Sequence, residues 1–321
     1  MKPYKKVLFF FLAGFGVLSQ LGALGRRDRS GDIVVYSLSG SSGVGLVQLF
    51  ENPPQAEGYS IRAEVLANQD LMAARFISGE AQVGVLPPNM AAKLAHEGLD
   101  LRALAVIGTG MLSLLSNDPL LGRIEELRGQ TVHVAGGGAT PDYVFQKILE
   151  DSGLRAGQDL NLSYALSPPE IAQGLISGRI TVGLLPEPFA TMARQGRPDL
   201  RELEDLQARW ASTRGGDYPM TLLVATGAFV DAQPRALNEI LRRAEESISW
   251  VRANPHEAGL LTEKHGLGLR APVVEAAIPY SNYVFIPGRT ARPSLEALFR
   301  VFLEFNPTSI GALPPESFYH P

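Results

Sequence analysis

The stretch ISGEAQVGVLPPNMA at residues 77–91 recurs as ISGRITVGLLPEPFA at residues 176–190. With the chain shifted by 99 residues, eight of these fifteen positions are identical. In both copies a glycine follows a helix-like segment, a short apolar run comes next, and a proline ends that run. Self-similarity at a fixed offset is typical of a chain that repeats one supersecondary unit.

The same offset, without a gap, also aligns the segments that come before this stretch. The apolar run Ile33–Tyr36 falls on Val132–Ala135, and the Gly/Ser segment Ser37–Gly43 falls on Gly136–Asp142. Apolar, β-branched runs of this length are typical of buried parallel strands. Each half therefore begins with a predicted strand that runs into a glycine-rich turn.

Each half is predicted to have the order strand, turn, helix, strand, helix, strand, helix. The predicted strands are Ile33–Tyr36, Ile61–Leu66 and Val83–Leu86 in the first half, and Thr131–Ala135, Leu160–Ala165 and Val182–Leu185 in the second. The helix-like stretches between them are Val44–Glu51, Asp70–Ser78, Tyr143–Glu150 and Pro169–Ser177. Alternating βαβ units predict an α/β protein with two lobes, each an open, mostly parallel sheet flanked by helices.

Ligands of such sheets bind at the carboxyl ends of the strands. Four loops lie at these ends: Ser37–Gly43, Pro87–Met90, Gly136–Asp142 and Pro186–Phe189. If the lobes face each other, the four loops meet in one cleft.

The C-terminal third does not repeat the pattern. A long helix is predicted over Pro234–Arg252, with further helices at Pro272–Ala277 and Ser294–Phe305 and strands at Leu101–Ile107, Met111–Ser116 and Thr221–Ala225. This part is expected to pack on the first lobe. The predicted lobes are residues 31–110 plus 219–321 for lobe 1 and residues 111–218 for lobe 2, with hinges near 107–112 and 216–221.

Residues 1–25 are predicted to be an export signal. Three lysines precede an uncharged apolar run of 12 residues, Val7–Leu18, and Ala23-Leu24-Gly25 offers small residues for cleavage. The alternative is an uncleaved anchor, because residues 7–25 just reach spanning length. Three arginines follow at once, which opposes the positive-inside bias and favours cleavage. Either way the folded part is predicted to be periplasmic.

The composition excludes several classes of function. The 321 residues include 29 Lys+Arg and 33 Asp+Glu, and a net charge of −4 gives no basic footprint for nucleic acid. The absence of cysteine excludes disulfides, thiolate metal sites, a cysteine nucleophile and a lipidated N-terminal cysteine. The five histidines are scattered, and neither HExxH nor GxSxG occurs. We therefore predict no catalytic residue, no metal and no cofactor.

The candidate ligand-binding residues lie in the four loops or next to them. The first loop offers hydroxyls and free backbone amides to a polar ligand. The second loop offers the side-chain amide of an asparagine and the thioether of a methionine. The glycine-rich third loop allows the backbone to approach a ligand closely. The predicted set is Ser39, Gly40, Ser41, Ser42, Asn68, Pro88, Asn89, Met90, Gly138, Ala139, Thr140, Glu187 and Tyr218.

Each candidate also has a purely structural interpretation. The first loop can be a flexible turn, and Asn68 can cap a helix. Glu187 can form a contact between the lobes or at the hinge, and Tyr218 can pack under the hinge. His133 lies in an apolar run and is interpreted as a core histidine with satisfied hydrogen bonds.

These motifs resemble the substrate-binding proteins of ABC importers in the nitrate/sulfonate/taurine and thiamine-precursor group. The resemblance covers about residues 31–320 and is carried by VGVLPPNMAAKL (83–94), IEELRGQTVHVAGGGATPDYV (124–144), LLPEPFATMA (184–193), YPMTLLVATGAFV (218–230) and FNPTSIGALPPESFYHP (305–321). It implies the two-lobed type II periplasmic-binding-protein fold with a hinge cleft. It also implies a monomeric receptor that closes on a small solute and docks on a membrane permease driven by an ATPase.

Two other functions remain open. The same fold hosts a pyrimidine-precursor synthase that uses a pyridoxal-phosphate lysine and a cysteine-rich motif, but this chain has no cysteine and few lysines. A sensory ligand-binding protein is the third possibility. The four loops contain no basic residue, so a pyrimidine or vitamin precursor is the first cargo hypothesis and an alkylsulfonate-like anion the second.

Overall fold

The computed structural model describes residues 31–56 and 58–321, so the predicted signal at 1–25 lies outside the described residues. The strands of this part are β1 (Asp32–Leu38), β2 (Gln55–Ala56), β3 (Tyr59–Leu66), β4 (Val83–Leu86), β5 (Leu101–Thr109), β6 (Leu112–Ser116), β7 (Thr131–Val134), β8 (Asn161–Ser163), β9 (Val182–Pro186), β10 (Arg201–Glu202), β11 (Pro219–Thr226) and β12 (Tyr283–Pro287).

The α-helices of the same part are α1 (Ser41–Val44), α2 (Val47–Glu51), α3 (Gln69–Ile77), α4 (Pro88–His96), α5 (Thr140–Asp151), α6 (Pro168–Ser177), α7 (Phe189–Gly196), α8 (Leu206–Arg214), α9 (Gly227–Ala232), α10 (Pro234–Ala253), α11 (Pro255–Lys264), α12 (Ala271–Ala277) and α13 (Gly288–Phe305). Short 3-10 helices occupy Ile124–Leu127, Ile278–Tyr280 and Glu316–Phe318. No helix within 31–56 and 58–321 has both the length and the apolar character needed to cross a bilayer.

The strands form two sheets. Sheet 1 has the order β12-β5-β11-β4-β1-β3-β2, and sheet 2 has the order β10-β6-β9-β7-β8. The predicted repeat appears in the strand order, because β4-β1-β3 of sheet 1 matches β9-β7-β8 of sheet 2. In both triplets the central strand pairs with its two neighbours in parallel. The predicted two-lobed α/β architecture is confirmed.

The sheets are mixed, which differs from the expectation of mostly parallel sheets. In sheet 1, β5 is followed by the crossing to sheet 2 and β11 by contrast enters from it, and β11 pairs antiparallel with both β4 and β5. In sheet 2, β6 pairs antiparallel with β9 and β10. The cause is that a strand entering from the other lobe runs opposite to the βαβ units beside it.

Three local elements also differ from the sequence-based expectation. The predicted helix over Val44–Glu51 is split into α1 and α2 around Gly45, where an added Cβ would lie 3.1 Å from a ring carbon of Tyr283. The strand predicted over Leu160–Ala165 is reduced to β8. Helix α13 begins six residues before the predicted Ser294 and contains Pro293.

Buried apolar side chains form three clusters. One lies on the outer face of sheet 1 under α10 and α2, and one lies under α6 and α7 on sheet 2. The third is continuous through both lobes, since it joins α5 and α8 on sheet 2 to α13 on sheet 1. Within it, the rings of Tyr143 and Phe302 have their centroids 5.3 Å apart.

Two chain crossings connect the sheets. The first is the segment Thr109–Leu112, and the second is the segment Arg214–Pro219. The backbone N–H of Gly110 donates to the Tyr218 carbonyl at 2.9 Å, which holds the two crossings side by side. Gly110, Gly215 and Gly216 have φ values of 58°, 68° and 75°, a region that favours glycine.

Candidate functional site

The candidate site is built from four strand ends, two on each sheet. The strands β1 and β4 lead into α1 and α4, and the strands β7 and β9 lead into α5 and α7. Each of these helices begins just beyond the carboxyl end of a parallel strand, which is where ligands of such sheets bind. The four predicted loops are therefore the turns between these strands and helices.

Contacts around Met111 bring a loop of sheet 1 close to a loop of sheet 2. The Oγ atom of Ser41 lies 3.9 Å from the Met111 sulfur. The Met111 carbonyl accepts a hydrogen bond of 2.9 Å from the Glu187 backbone N–H. On the other side, the hydroxyl of Tyr283 donates to the Ser41 carbonyl at 3.1 Å. Ser41 of the first loop and the backbone N–H of Glu187 in the fourth loop therefore both contact Met111.

The first loop is held in place by the carbonyl of Leu267. Both the Oγ of Ser39 and the backbone N–H of Gly40 donate to this carbonyl, each at 3.0 Å. Gly40 has a φ of 94°, which only glycine adopts without strain. Ser39 is exposed, whereas Ser41 and Ser42 are half-buried. The hydroxyl of Ser37 is buried and has no hydrogen-bond partner in the described protein.

The second loop presents one amide side chain. Pro87 caps α4 and Pro88 is buried at its first position, where a missing N–H has no cost. Asn89 follows, and its Oδ1 is buried without a hydrogen-bond partner. Met90 is half-buried and packs on the shared core.

Asn68 has a capping role. Its Oδ1 accepts a hydrogen bond of 3.0 Å from the backbone N–H of Leu71 at the start of α3, and the residue is exposed. This geometry matches the capping interpretation, and ligand contact by Asn68 stays a prediction.

The third loop is organised around a buried carboxylate. Asp142 accepts hydrogen bonds from the Gly138 backbone N–H at 2.8 Å and from the Tyr164 hydroxyl at 2.7 Å. The ring of Tyr164 covers Gly137, where an added Cβ would lie 2.8 Å from Cγ of the ring. Burial, followed by the contact with Asp142, raises the pKa of Tyr164. Thr140 begins α5 and is buried, and its Oγ1 has no partner in the described protein.

Ala139 and Gly138 complete this loop. Ala139 is the N-cap of α5 and is half-buried, whereas Gly138 is exposed. Because the N–H of Gly138 is used by Asp142, this glycine can approach a ligand through its Cα and carbonyl but has no free N–H to donate.

The fourth loop contains a carboxylate whose two oxygens are both in use. Glu187 is 1% exposed. One oxygen accepts from the backbone N–H of Thr191 at 3.0 Å, and the other contacts Arg194 at 3.1 Å. Burial raises the pKa of Glu187, and the contacts with Thr191 and Arg194 oppose that rise. The side chain of Glu187 is therefore engaged within lobe 2.

Tyr218 lies in the second chain crossing, between α8 and β11, and is fully buried. Its ring meets that of Trp210 edge-on, with 5.6 Å between the centroids. Burial raises the pKa of its hydroxyl. The position matches the packing interpretation, and stacking of a ligand on Tyr218 stays a prediction.

Sequence reasoning missed several polar groups that the fold brings to these loops. Ser37 and Thr191 carry buried hydroxyls without partners, and Asp142 and Arg194 provide the local charges. Ser37 and Asp142 lie inside two of the four predicted loops, whereas Thr191 and Arg194 lie five and eight residues beyond the end of β9. Position after a strand end was the signal that the sequence offered for them. Nothing in the sequence indicates which of these groups are paired.

His133 differs from its interpretation as a satisfied core histidine. It is half-buried, and its Nδ1 has no hydrogen-bond partner. Burial lowers its pKa. It lines a groove of about 480 Å³ together with Leu166 and Ile180. Within the part of the chain that the structure describes, no three His, Asp or Glu side chains are grouped as metal ligands.

Comparisons with known proteins agree with this architecture. The family model described as NMT1/THI5 like matches residues 55–258. An ABC transporter structure from Parabacteroides distasonis is 25% identical and has a TM-score of 0.77, over 90% of this chain and 98% of that one. No curated protein matched the sequence.

Two more distant structures show the same fold. The periplasmic aliphatic sulphonate binding protein SsuA of Escherichia coli is 15% identical with a TM-score of 0.73, over 91% of this chain and 93% of that one. The periplasmic nitrate-binding protein NrtA of Synechocystis PCC 6803 is 12% identical with a TM-score of 0.58, over 81% and 74%. Because the family model spans more than half of the sequence and the two-lobed fold agrees with it, the chain belongs to the NMT1/THI5-like family.

Proposed function

We propose that this protein is an extracytoplasmic solute-binding receptor of an ABC importer. It binds a small organic solute between its lobes as a monomer and delivers it to a membrane permease that a cytoplasmic ATPase drives. The proposed lobes are residues 31–110 plus 219–321 and residues 111–218. The proposed location is the periplasm, reached by means of the signal at residues 1–25.

One observation carries this proposal: both lobes hold buried polar atoms without partners at or just beyond the carboxyl ends of the strands, where ligands of parallel sheets bind. Ser37 Oγ and Asn89 Oδ1 lie on the side of sheet 1, and Thr140 Oγ1 and Thr191 Oγ1 lie on the side of sheet 2. Leaving a buried polar group unpaired costs free energy, roughly 1–3 kcal/mol each. A polar solute that pairs with these atoms recovers this cost and joins the two lobes.

The two crossings suit a receptor that opens and closes. Glycines with positive φ lie in both of them, and a hinge needs residues that can absorb changes of φ and ψ. The similar structure from Parabacteroides distasonis is named as an ABC transporter, which also favours transport. The proposed ligand contacts are the predicted residues of the four loops, extended by Ser37 and Thr191.

The placement of the lysines argues against the synthase-like alternative. A pyridoxal-phosphate enzyme needs a lysine whose amine can form a Schiff base in the cleft. Lys147 pairs with Glu150 and Glu304, and Lys264 pairs with Glu51. Lys93 is exposed on α4 and lies outside the four loops. These positions favour a receptor over an enzyme.

The proposal is tested by native mass spectrometry of residues 26–321 as purified, compared with a sample unfolded and refolded without solute. We expect a discrete extra mass that is lost on refolding. Adding the recovered solute back should then compact the refolded protein in small-angle scattering. The absence of any bound mass, together with no compaction by any pyrimidine or sulfonate tested, would contradict a receptor function.

A further inference from the structure

The loops of lobe 2 carry a negative charge that no basic group balances. Asp142 is 4% exposed and accepts hydrogen bonds from the Gly138 N–H, from the Gln146 side chain at 2.8 Å and from the Tyr164 hydroxyl. All three partners donate to it, which is the pattern of an ionised carboxylate. All three are also uncharged, and within residues 31–56 and 58–321 no Lys, Arg or His forms an ion pair with Asp142.

The second carboxylate of these loops is neutralised. Glu187 pairs with Arg194, which in turn contacts Glu202 at 3.1 Å and donates to the Ser113 hydroxyl at 2.7 Å. The guanidinium is therefore shared between two carboxylates, so its positive charge is already compensated within lobe 2. The net charge of the lobe 2 loops and their direct partners is negative.

The two carboxylates also occupy the N-terminal ends of the lobe 2 helices. The N-terminus of a helix attracts anions through its free amides and its dipole. At α7 the Thr191 amide is bonded to Glu187, and at α5 the Gly138 amide just before the helix is bonded to Asp142. A solute anion would have to compete with carboxylates that the protein already holds there.

Lobe 1 supplies no compensating charge, because Ser37–Gly43 and Pro87–Met90 contain no charged residue. We propose that the cleft selects an uncharged or cationic solute and rejects anions, and that Asp142 is the residue that sets this selectivity. This inference rests on the proposed receptor function and narrows its cargo class. It separates this chain from the similar structures that are named for sulphonate and nitrate.

The expected size follows from Coulomb's law. An anionic solute whose charge lies about 8 Å from the carboxylate of Asp142 is repelled by it. At an effective dielectric constant of about 20, this repulsion weakens binding roughly 30-fold. We expect at least a ~10-fold preference for the neutral member of a matched pair of solutes.

Two such pairs serve as probes for isothermal titration on refolded protein at low salt. Ethanesulfonamide and ethanesulfonate are nearly equal in shape and differ in charge. A 4-amino-5-hydroxymethylpyrimidine and its phosphate monoester form the second pair. In the pair that binds, we expect the neutral member to bind at least ~10-fold more tightly. The substitution Asp142→Asn should narrow this ratio by about 10-fold, mainly because the anion gains affinity.

Glu150→Gln is the matched control. It removes the same charge from the same helix, but Glu150 lies exposed near the C-terminal end of α5, so the ratio should not change. An anion that binds the natural protein as tightly as its neutral partner would overturn the inference while leaving the receptor function intact. Equal effects of the two substitutions would overturn the role of Asp142. If none of the four probes binds and no solute co-purifies, the receptor function itself fails. The comparison on the natural protein needs no substitution and stands even if Asp142→Asn does not fold.

Discussion

Replacing Thr140 by valine removes one hydroxyl with little change in shape, and the structure predicts opposite effects on folding and binding. Thr140 is 2% exposed, and its Oγ1 has no partner in the described protein. Without solute, loss of an unpaired buried hydroxyl should leave the free energy of unfolding unchanged or raise it by up to ~1 kcal/mol. With solute, the loss of one hydrogen bond worth about 0.5–1.5 kcal/mol should weaken binding about 2- to 13-fold.

Thr262→Val is the matched control for this experiment. Thr262 is also fully buried, but its Oγ1 donates to the Ala258 carbonyl at 2.7 Å inside α11, outside the four loops. This variant should lose about 0.5–1.5 kcal/mol of unfolding free energy and keep its affinity for solute. Urea unfolding without solute and titration with the recovered solute measure the two quantities. The reasoning is refuted if Thr140→Val destabilises the unliganded protein as much as the control does and leaves the dissociation constant unchanged.

Two further predictions concern pH and the core shared by the lobes. Burial raises the pKa of Glu187 above its ordinary value of 4.5, so the folded state binds this proton more tightly than the unfolded state does. The stability of the natural protein relative to Glu187→Gln should therefore fall as pH rises from 4.5 through the raised pKa, and a difference that does not vary with pH would contradict this. Phe302→Ala should cost about 3–5 kcal/mol, because Phe302 is buried in the cluster that joins α13 to α5. Trp210 and Trp250 lie on different lobes. In each single-tryptophan variant the fluorescence transition should therefore coincide with the loss of far-UV circular dichroism, and a fluorescence transition that separates from it would disprove a shared core.

The βαβ part of the fold could be predicted from the sequence because the repeat encodes it locally. Strand polarity and order within each triplet follow from alternating elements and short connections, and both triplets have the expected order. The antiparallel partners β5, β11 and β12 could not be predicted in the same way. Their pairing joins segments more than 100 residues apart, and no periodic pattern records which sheet edge such a strand will join.

The four loops of the candidate site could be chosen from the sequence, but their hydrogen bonding could not. Strand polarity alone selected the four loops, since ligands of parallel sheets bind at the carboxyl ends of the strands. It could not indicate that Arg194, seven residues after Glu187, would donate a hydrogen bond to the Glu187 carboxylate. It also could not indicate that Tyr218 would turn toward Trp210 in the core. Both outcomes depend on which way a side chain points after the lobes have packed.

The glycines at residues 136–138 illustrate why the hydrogen bonding of a loop cannot be predicted from its sequence. Their run suggests close backbone approach to a ligand, and close approach is what the structure contains, but the approaching groups belong to the protein. The ring of Tyr164 lies over Gly137, and the carboxylate of Asp142 accepts the N–H of Gly138. A loop shaped to hold its own carboxylate needs the same small residues as a loop shaped to hold a bound anion. The sequence pattern therefore cannot distinguish these two kinds of loop. A measurement of the charge preference of the cleft can distinguish them, because a site that already holds an anion should repel a second one.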